Sequence, residues 1–345
     1  MVGVGHRPGR GAVLRAIGLA ASIAAVILVV RSVDVAETGR LLAAANPMPI
    51  AACLFVVAAQ VTLRSVRWRL LLPAPPAGAH IPLRRIVPVL LIGYLGNAVL
   101  PARLGEPIRA YLVARRERLD AAEAFGSVVL ERVVDTATLA LIVFGAAWAV
   151  GAPAWVVQAG AGAAIVAGGV LLALLTVGLT PIARRGVGLA ARLPGHDRAL
   201  PLAARVMDFA RGVDRPSRSR AIVVAACLSA ACWALDATTF LLVARAVGTS
   251  ISPATAMLIS GITVLGTAVP SAPGYVGTYD LAAAATGVAL GLPASAALAV
   301  AILSHVITVV PTAVGGGISL LALDARLGRL ASAAEIEDGA SPVGT

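Results

Sequence analysis

The chain has 345 residues, of which 59% are hydrophobic and 13% charged, and its mean hydropathy is +0.91. Soluble domains carry about 25% charged residues, so this composition excludes a soluble globular protein and leaves no room among these residues for a soluble catalytic domain. The formal net charge is +11. The basic residues lie mainly between apolar segments, where the preference of arginine for the cytoplasmic side explains them without nucleic-acid binding.

Helix-length apolar segments fill most of the chain and predict an all-α integral membrane protein. We expect one membrane domain, residues 1–325, followed by a polar, disordered cytoplasmic tail, residues 326–345. In chain order the apolar segments cover residues 13–30, 49–64, 86–100, 121–150, 154–180, 221–247, 253–270 and 294–323.

Arginine placement predicts the orientation of these segments. Arg7, Arg10 and Arg15 precede the first one, which places the N-terminus in the cytoplasm and the protein in the cell membrane. A cleavable signal peptide has a similar basic start, but no convincing small-residue cleavage site follows Val30, which favours an uncleaved anchor. The next cytoplasmic loop is marked by Arg64, Arg67, Arg69, Arg84 and Arg85.

Segment 86–100 is predicted to form a re-entrant hairpin. A single crossing would leave outside the five arginines that follow it, which are Arg103, Arg109, Arg115, Arg116 and Arg118. A chain that enters at 86–99, turns near Pro101 and returns by about residue 112 avoids this, provided that protein or water covers the turn. Segments 121–150 and 154–180 then run outward and back. The arginine-rich segment 184–220 follows as a cytoplasmic linker with short surface helices.

The second half of the chain repeats the first in outline. Residues 265–269 (LGTAV) match residues 95–99 (LGNAV), a Pro/Gly-rich turn follows each, and in the next helix Arg132 aligns with His305. Arg326 and Arg329 place the C-terminus in the cytoplasm, so the repeat halves, 86–150 and 253–323, are inverted. We therefore expect about six transmembrane helices plus two re-entrant hairpins in two inverted halves, an arrangement that in transporters binds substrate at the midplane.

Glu131, Arg132 and Asp135 lie close together within one predicted membrane helix. An ionised side chain at the bilayer centre costs about 2.5–3.5 kcal/mol on insertion scales, so this helix must face protein or water. Glu131 and Asp135 share a helix face and repel each other unless they share a cation or a proton, which Arg132 and an arginine of the hairpin can supply. The network is either a structural joint between hairpin and helix, or a polar groove whose carboxylate is protonated during transport.

Other polar residues leave alternatives open. Arg103 and Arg109 can grip a phosphate bidentately, or they are interfacial residues paired with Glu106 and Glu131. Asp236 needs a partner such as Thr238 or a distant arginine. The cysteines, Cys53, Cys227 and Cys232, are expected to be buried apolar residues. The sequence contains no catalytic carboxylate pair, nucleophile motif or Cys/His cluster, so we expect no enzyme, no metal and no other cofactor.

Several separated motifs stand out: GYLGNAVLPARLGEPIR at 93–109, LERVVD at 130–135, PSAPGYVGT at 270–278, His305, and Arg67-Trp68-Arg69. Together they resemble those of the lysylphosphatidylglycerol synthase transmembrane family (UPF0104), to which the membrane part of the multiple peptide resistance factor belongs. The resemblance covers residues 10–325 and implies a lipid-translocating or lipid-handling membrane protein. No counterpart of the aminoacyl-transferring domain is recognised, so lysyl transfer is not expected.

The resemblance and the charged helix together predict translocation of an anionic phospholipid or lipid-linked anion between leaflets. The alternative is a non-catalytic membrane subunit or scaffold of a lipid- or glycan-modifying enzyme, and a solute transporter comes third. With four Trp and four Tyr, no aromatic platform for a sugar is evident. The candidate headgroup-binding residues are Asn97, Arg103, Glu106, Arg109, Glu131, Arg132, Asp135, Ser271, Tyr275, Thr278 and His305.

Overall fold

A computed structural model describes residues 19–28, 31, 33–75, 80–100, 103–152, 154–190, 200–217, 220–267 and 271–339. Apart from one short 3-10 turn, Pro273–Tyr275, the regular elements in these residues are α-helices, which confirms the all-α class. The helices are α1 Leu19–Leu28, α2 Val35–Ala43, α3 Pro47–Leu71, α4 Leu83–Val99, α5 Gly105–Glu117, α6 Ala121–Ala149, α7 Ala154–Thr176, α8 Thr180–Ala190, α9 Leu200–Ser217, α10 Ala221–Ala246, α11 Pro253–Gly266, α12 Thr278–Ala289 and α13 Ala294–Gly339.

Three described helices are long and apolar enough to cross a membrane: α3, α10 and the Ala294–Leu323 part of α13. The pair Gly160–Thr176 and Thr180–Gly188, bent by 74°, is a fourth candidate if it forms one broken span. The expected six spans and two hairpins therefore remain a prediction. The last helix continues to Gly339, beyond residue 325, where the predicted membrane domain ends. The cytoplasmic tail from residue 326 remains a prediction.

Helices α4 and α5, with the turn between them, form a hairpin that we call the first hairpin. Its two helices touch at glycines: a Cβ added to Gly105 would lie 1.8 Å from the carbonyl oxygen of Gly93. The Asn97 side chain accepts a hydrogen bond of 2.9 Å from the Gly105 backbone N–H and so ties the start of α5 to α4. The turn predicted near Pro101 lies outside the described residues. Trp68 and other apolar residues of α3 and α6 pack against this hairpin.

Replacing Gly105 by alanine is expected to reduce the yield of folded protein severely. The new methyl group collides with the backbone of α4, which cannot move aside as a flexible side chain does. The measurement is the fraction of monodisperse protein after detergent extraction. Gly145→Ala in α6 is the matched control, since no atom lies within 4 Å of its added Cβ. Equal yields from both variants would show that α4 and α5 do not pack this closely.

Helices α11 and α12, joined through the Pro273–Tyr275 turn, form the second hairpin. This turn needs unusual backbone angles, with φ +71° at Gly274, +61° at Tyr275 and +86° at Gly277. The second hairpin packs with α3, α10 and α13 around the largest apolar cluster, which includes Phe240 and Ile259. The chain thus has a helix–turn–helix where each hairpin was predicted, while their inverted relation remains a prediction.

The predicted surface linker 184–220 is partly incorporated into the helical bundle. Helix α9 buries Ala210 and Val213 and approaches α6 so closely that a Cβ on Gly212 would lie 2.1 Å from the Glu123 carbonyl oxygen. The Asp214 carboxylate accepts hydrogen bonds of 2.7 Å from the backbone N–H groups of Leu179 and Thr180, at the start of α8. The arginine content concealed this packing, because α9 exposes a basic face and buries an apolar one.

Candidate functional site

A cavity of about 360 Å³ lies among the helices. We call it the charged cavity, because ionisable side chains from several elements line it. Its wall is built from α3, α6, α10 and α13 and from residues of both hairpins. Exposed Thr136 and Leu265 stand among its lining residues, so the cavity reaches the outer surface of the bundle. The charged lining residues are Arg64, Arg103, Glu106, Arg132, Asp135 and Asp236.

Arg67 holds the two carboxylates of α6 together. Its side chain is fully buried, and it donates hydrogen bonds of 2.6 Å to Glu131 and 2.5 Å to Asp135. A third bond, of 2.7 Å, runs to the Ser229 hydroxyl on α10. One guanidinium therefore joins α3, α6 and α10, and it neutralises carboxylates that would otherwise be isolated at this depth.

The sequence placed Arg67 in a cytoplasmic loop, and the structure corrects this. Arg67 lies near the end of α3 and turns inward. A usable signal was present: Gln60, Arg64 and Arg67 recur at helical spacing on one face of an otherwise apolar helix. That pattern indicates a polar stripe that faces other helices. The orientation rule used above counts arginines near helix ends and does not detect such a stripe.

Glu131 has a second buried partner in the first hairpin. Arg109, whose side chain is 3% exposed, donates a bond of 2.7 Å to the other Glu131 oxygen and lies over the Trp68 ring at 4.6 Å. This is the structural pairing that the sequence left open for Arg109. It ties α5 to α6 and leaves neither Arg109 nor Glu131 on the cavity wall.

A separate ion pair crosses the cavity wall between α3 and α10. Arg64 donates a bond of 2.7 Å to Asp236, and the Gln60 amide donates one of 2.8 Å to the other carboxylate oxygen. Asp236 thus has the distant arginine that was one of its two predicted partners. The other candidate, Thr238, donates its hydroxyl to the Ala234 carbonyl instead.

Arg132 is one-third exposed and is shared among three carboxylates. Its nitrogens lie 3.3 Å from Glu131, 3.6 Å from Asp135 and 3.6 Å from Glu106. Only the contact with Glu131 is short enough for a hydrogen bond. Arg132 is therefore held loosely at the cavity wall, in contrast to the tightly bonded Arg67 behind it.

Among the described residues, Arg103 is the arginine of the charged cavity that has no carboxylate partner. Among the described residues, its guanidinium donates to the Thr267 carbonyl at 3.1 Å and hydroxyl at 2.9 Å, and it lies over the Tyr275 ring at 5.6 Å. Its backbone has φ +54°, a conformation uncommon outside glycine. In the described part of the chain, the cavity and the ion pairs beside it contain five arginines and four carboxylates. They are Arg64, Arg67, Arg103, Arg109 and Arg132, and Glu106, Glu131, Asp135 and Asp236. Arg103 therefore carries the surplus positive charge.

The remaining predicted residues fall into three groups. Asn97 and Tyr275 line the cavity with the charged residues. Ser271 and Thr278 lie in the second hairpin outside the lining, and the Thr278 hydroxyl donates to the Tyr275 carbonyl at 3.2 Å. His305 is 7% exposed and does not line the cavity either. It contacts Gly274 and Asp280 of the second hairpin.

Aromatic residues are more concentrated here than the composition suggested. Three of the four tyrosines line the cavity, and Trp233 and Phe240 join them. The tyrosines are Tyr94, Tyr275 and Tyr279.

One cysteine expectation fails: Cys53 and Cys232 are buried, but Cys227 is exposed on α10.

Comparison with known proteins identifies relatives across most of the chain. A protein named Glycosyltransferase AglD, from Haloferax volcanii, is 29% identical over 341 residues, which cover 90% of this chain and 54% of that protein. This chain thus spans about half the length of AglD. A UPF0104 membrane protein from Methanothermobacter thermautotrophicus is 29% identical over 129 residues, 37% of this chain and 36% of the relative. The family profile described as Lysylphosphatidylglycerol synthase TM region matches residues 15–316. The chain therefore belongs to the lysylphosphatidylglycerol synthase transmembrane family, as its motifs predicted, and is a helical membrane protein.

Proposed function

We propose that the protein translocates a lipid with an anionic headgroup, or a lipid-linked anion, between the two leaflets. The observation that carries this proposal is Arg103, a cation in the wall of a membrane-protein cavity without a carboxylate partner in the described residues. Its planar donors suit a phosphate group, which accepts bidentate hydrogen bonds from arginine. The transfer breaks no covalent bond, so we propose a carrier and not an enzyme.

The cavity wall supports transport of a headgroup in particular. A partly open space with six charged side chains in its wall lets the charged part of a lipid pass while its acyl chains remain in the bilayer. The tyrosine hydroxyls add donors, and they have no protein hydrogen-bond partner among the described residues. In this proposal the two hairpins form the moving walls of two inverted halves, within about six spans. Both termini are cytoplasmic, and the protein lies in the cell membrane.

The test is reconstitution into liposomes with headgroup-labelled lipid probes. We expect purified protein to accelerate leaflet exchange of fluorescent phosphatidylglycerol, and to act more slowly on fluorescent phosphatidylcholine, whose choline group is repelled by Arg103. Exchange is read as the fraction of probe that a membrane-impermeant quencher reaches. Equal exchange in protein-containing and empty vesicles would contradict translocation.

The second candidate is a non-catalytic membrane subunit of a glycan- or lipid-modifying enzyme. It is favoured by one observation: the relative named a glycosyltransferase is about twice the length of the region it shares with this chain. In this case the purified protein exchanges no lipid. Deletion of its gene would instead lower the yield of a glycan-modified or otherwise modified lipid, which mass spectrometry of extracted lipids can measure.

A further inference from the structure

His305 presents both ring nitrogens to oxygen atoms of the second hairpin. Nε2 lies 2.7 Å from the Gly274 carbonyl oxygen, and Nδ1 lies 3.0 Å from the Asp280 Oδ1 atom. The imidazole also stacks on the Tyr279 ring, with centroids 4.3 Å apart. The side chain is 9% exposed, so water does not readily replace either contact.

The two contacts need two donors. A carbonyl oxygen and a carboxylate can only accept hydrogen bonds, whereas a neutral imidazole has one N–H and one lone pair. Only the doubly protonated ring satisfies both partners. The other Asp280 oxygen accepts a bond of 3.0 Å from the Gly277 backbone N–H, so the carboxylate acts as an acceptor on both sides and the donor towards it is the ring nitrogen.

We propose that His305 and Asp280 form a proton-binding site, occupied when the second hairpin has the conformation described above. The deprotonated ring keeps one N–H, and donation to the carboxylate is the stronger bond. The Gly274 carbonyl then faces a nitrogen lone pair at 2.7 Å, and this contact must open. Proton loss thus frees the hairpin turn from α13.

The charged surroundings of His305 leave Asp280 as its dominant partner. Asp280 and Tyr279 contact it from α12, and the charged residue of α10 on this side is Asp236. Arg64 on α3 is paired with Asp236, and Tyr94 on α4 lines the cavity. On α2, Glu37 and Arg40 pair with each other at the surface.

The His305–Asp280 site is connected to Arg103 through the Pro273–Tyr275 turn of the second hairpin. Gly274 and Tyr275 both have positive φ, and for Tyr275 this conformation persists only if its surroundings hold it. The bond from His305 to Gly274 is one such restraint, and the neighbouring Tyr275 ring lies beside the Arg103 guanidinium. Proton binding therefore fixes one wall of the charged cavity. This consequence for transport rests on the proposed function, whereas the proton site itself does not.

The first measurement is nitrogen-15 NMR of histidine-labelled protein in nanodiscs, with His305 assigned by comparison with His305→Gln. We expect both His305 nitrogens to be protonated at low pH, and a neutral ring with the proton on Nδ1 to replace this form as the pH rises. A single neutral tautomer from about pH 5 to pH 9, the range that brackets histidine titration, would overturn the proposal. This result is independent of any lipid transport.

The second measurement is leaflet exchange of phosphatidylglycerol over the same pH range. In His305→Gln the side-chain amide can donate a hydrogen bond to the Gly274 carbonyl at every pH. We therefore expect the rate of lipid exchange by this variant to be independent of pH. Wild-type protein and the control His80→Gln, at an exposed position between α3 and α4, should show a several-fold change. Equal pH profiles in all three would overturn the link to the cavity. Absence of exchange in all three would overturn both that link and the proposed function, while the NMR result would still decide the proton site.

Discussion

Replacing Arg103 by glutamine is expected to lower the protein-dependent exchange of phosphatidylglycerol by about tenfold to a hundredfold. A hydrogen bond to a charged group contributes about 1.5–3 kcal/mol, and each 1.4 kcal/mol corresponds to a factor of ten in binding. Arg103 supplies the surplus positive charge of the cavity, so the variant retains the space but loses the attraction for a phosphate. Exchange of phosphatidylcholine should fall less, because Arg103 attracts its phosphate but repels its choline cation.

This variant should remain folded, because among the described residues Arg103 has no carboxylate partner that its loss would leave unpaired. Its contacts there are two hydrogen bonds to Thr267 and the Tyr275 ring, in a partly buried setting. The matched control is Arg118→Gln, at the other end of the first hairpin. Arg118 also has a positive φ, of +57°, but it is exposed and does not line the cavity. Wild-type exchange by Arg103→Gln would remove the main support for the proposed function.

The features that could be predicted from sequence are those with local causes. The first hairpin was predicted from glycines and prolines at fixed spacing and from the placement of the arginines, and helices α4 and α5 lie at that place. Asp236 was predicted to need a partner because an isolated carboxylate is costly in an apolar helix, and Arg64 supplies it. In each case the reason lies within a few residues of the feature.

The features that were missed depend on contacts between distant segments. Arg67 meets Glu131 and Ser229, 64 and 162 residues away, and neither partner can be read from the composition of α3. The aromatic wall was missed for the same reason: four tyrosines are few in 345 residues, yet folding brings three of them to one cavity. His305 was assigned to the headgroup site from its alignment with Arg132, and that role remains a prediction; its contacts with Gly274 and Asp280 of the second hairpin were not foreseen.

Replacing Arg67 by methionine is expected to destabilise the protein by about 3–5 kcal/mol, the usual cost of removing one partner of a buried ion pair. The variant leaves the Asp135 carboxylate with only the loose contact to Arg132 and removes one of the two short bonds to Glu131. The measurement is thermal unfolding of the purified protein in detergent, together with the monodisperse fraction. Arg69→Met, two residues along the same helix at a half-buried position, is the control and should change little.

Arg67→Lys keeps the charge but has no planar fork to reach two carboxylates, so an intermediate loss of stability is expected. If Arg67→Met unfolds at the same temperature as Arg69→Met, the network does not support the fold, and the buried ion pairs beside the cavity would have to serve transport instead.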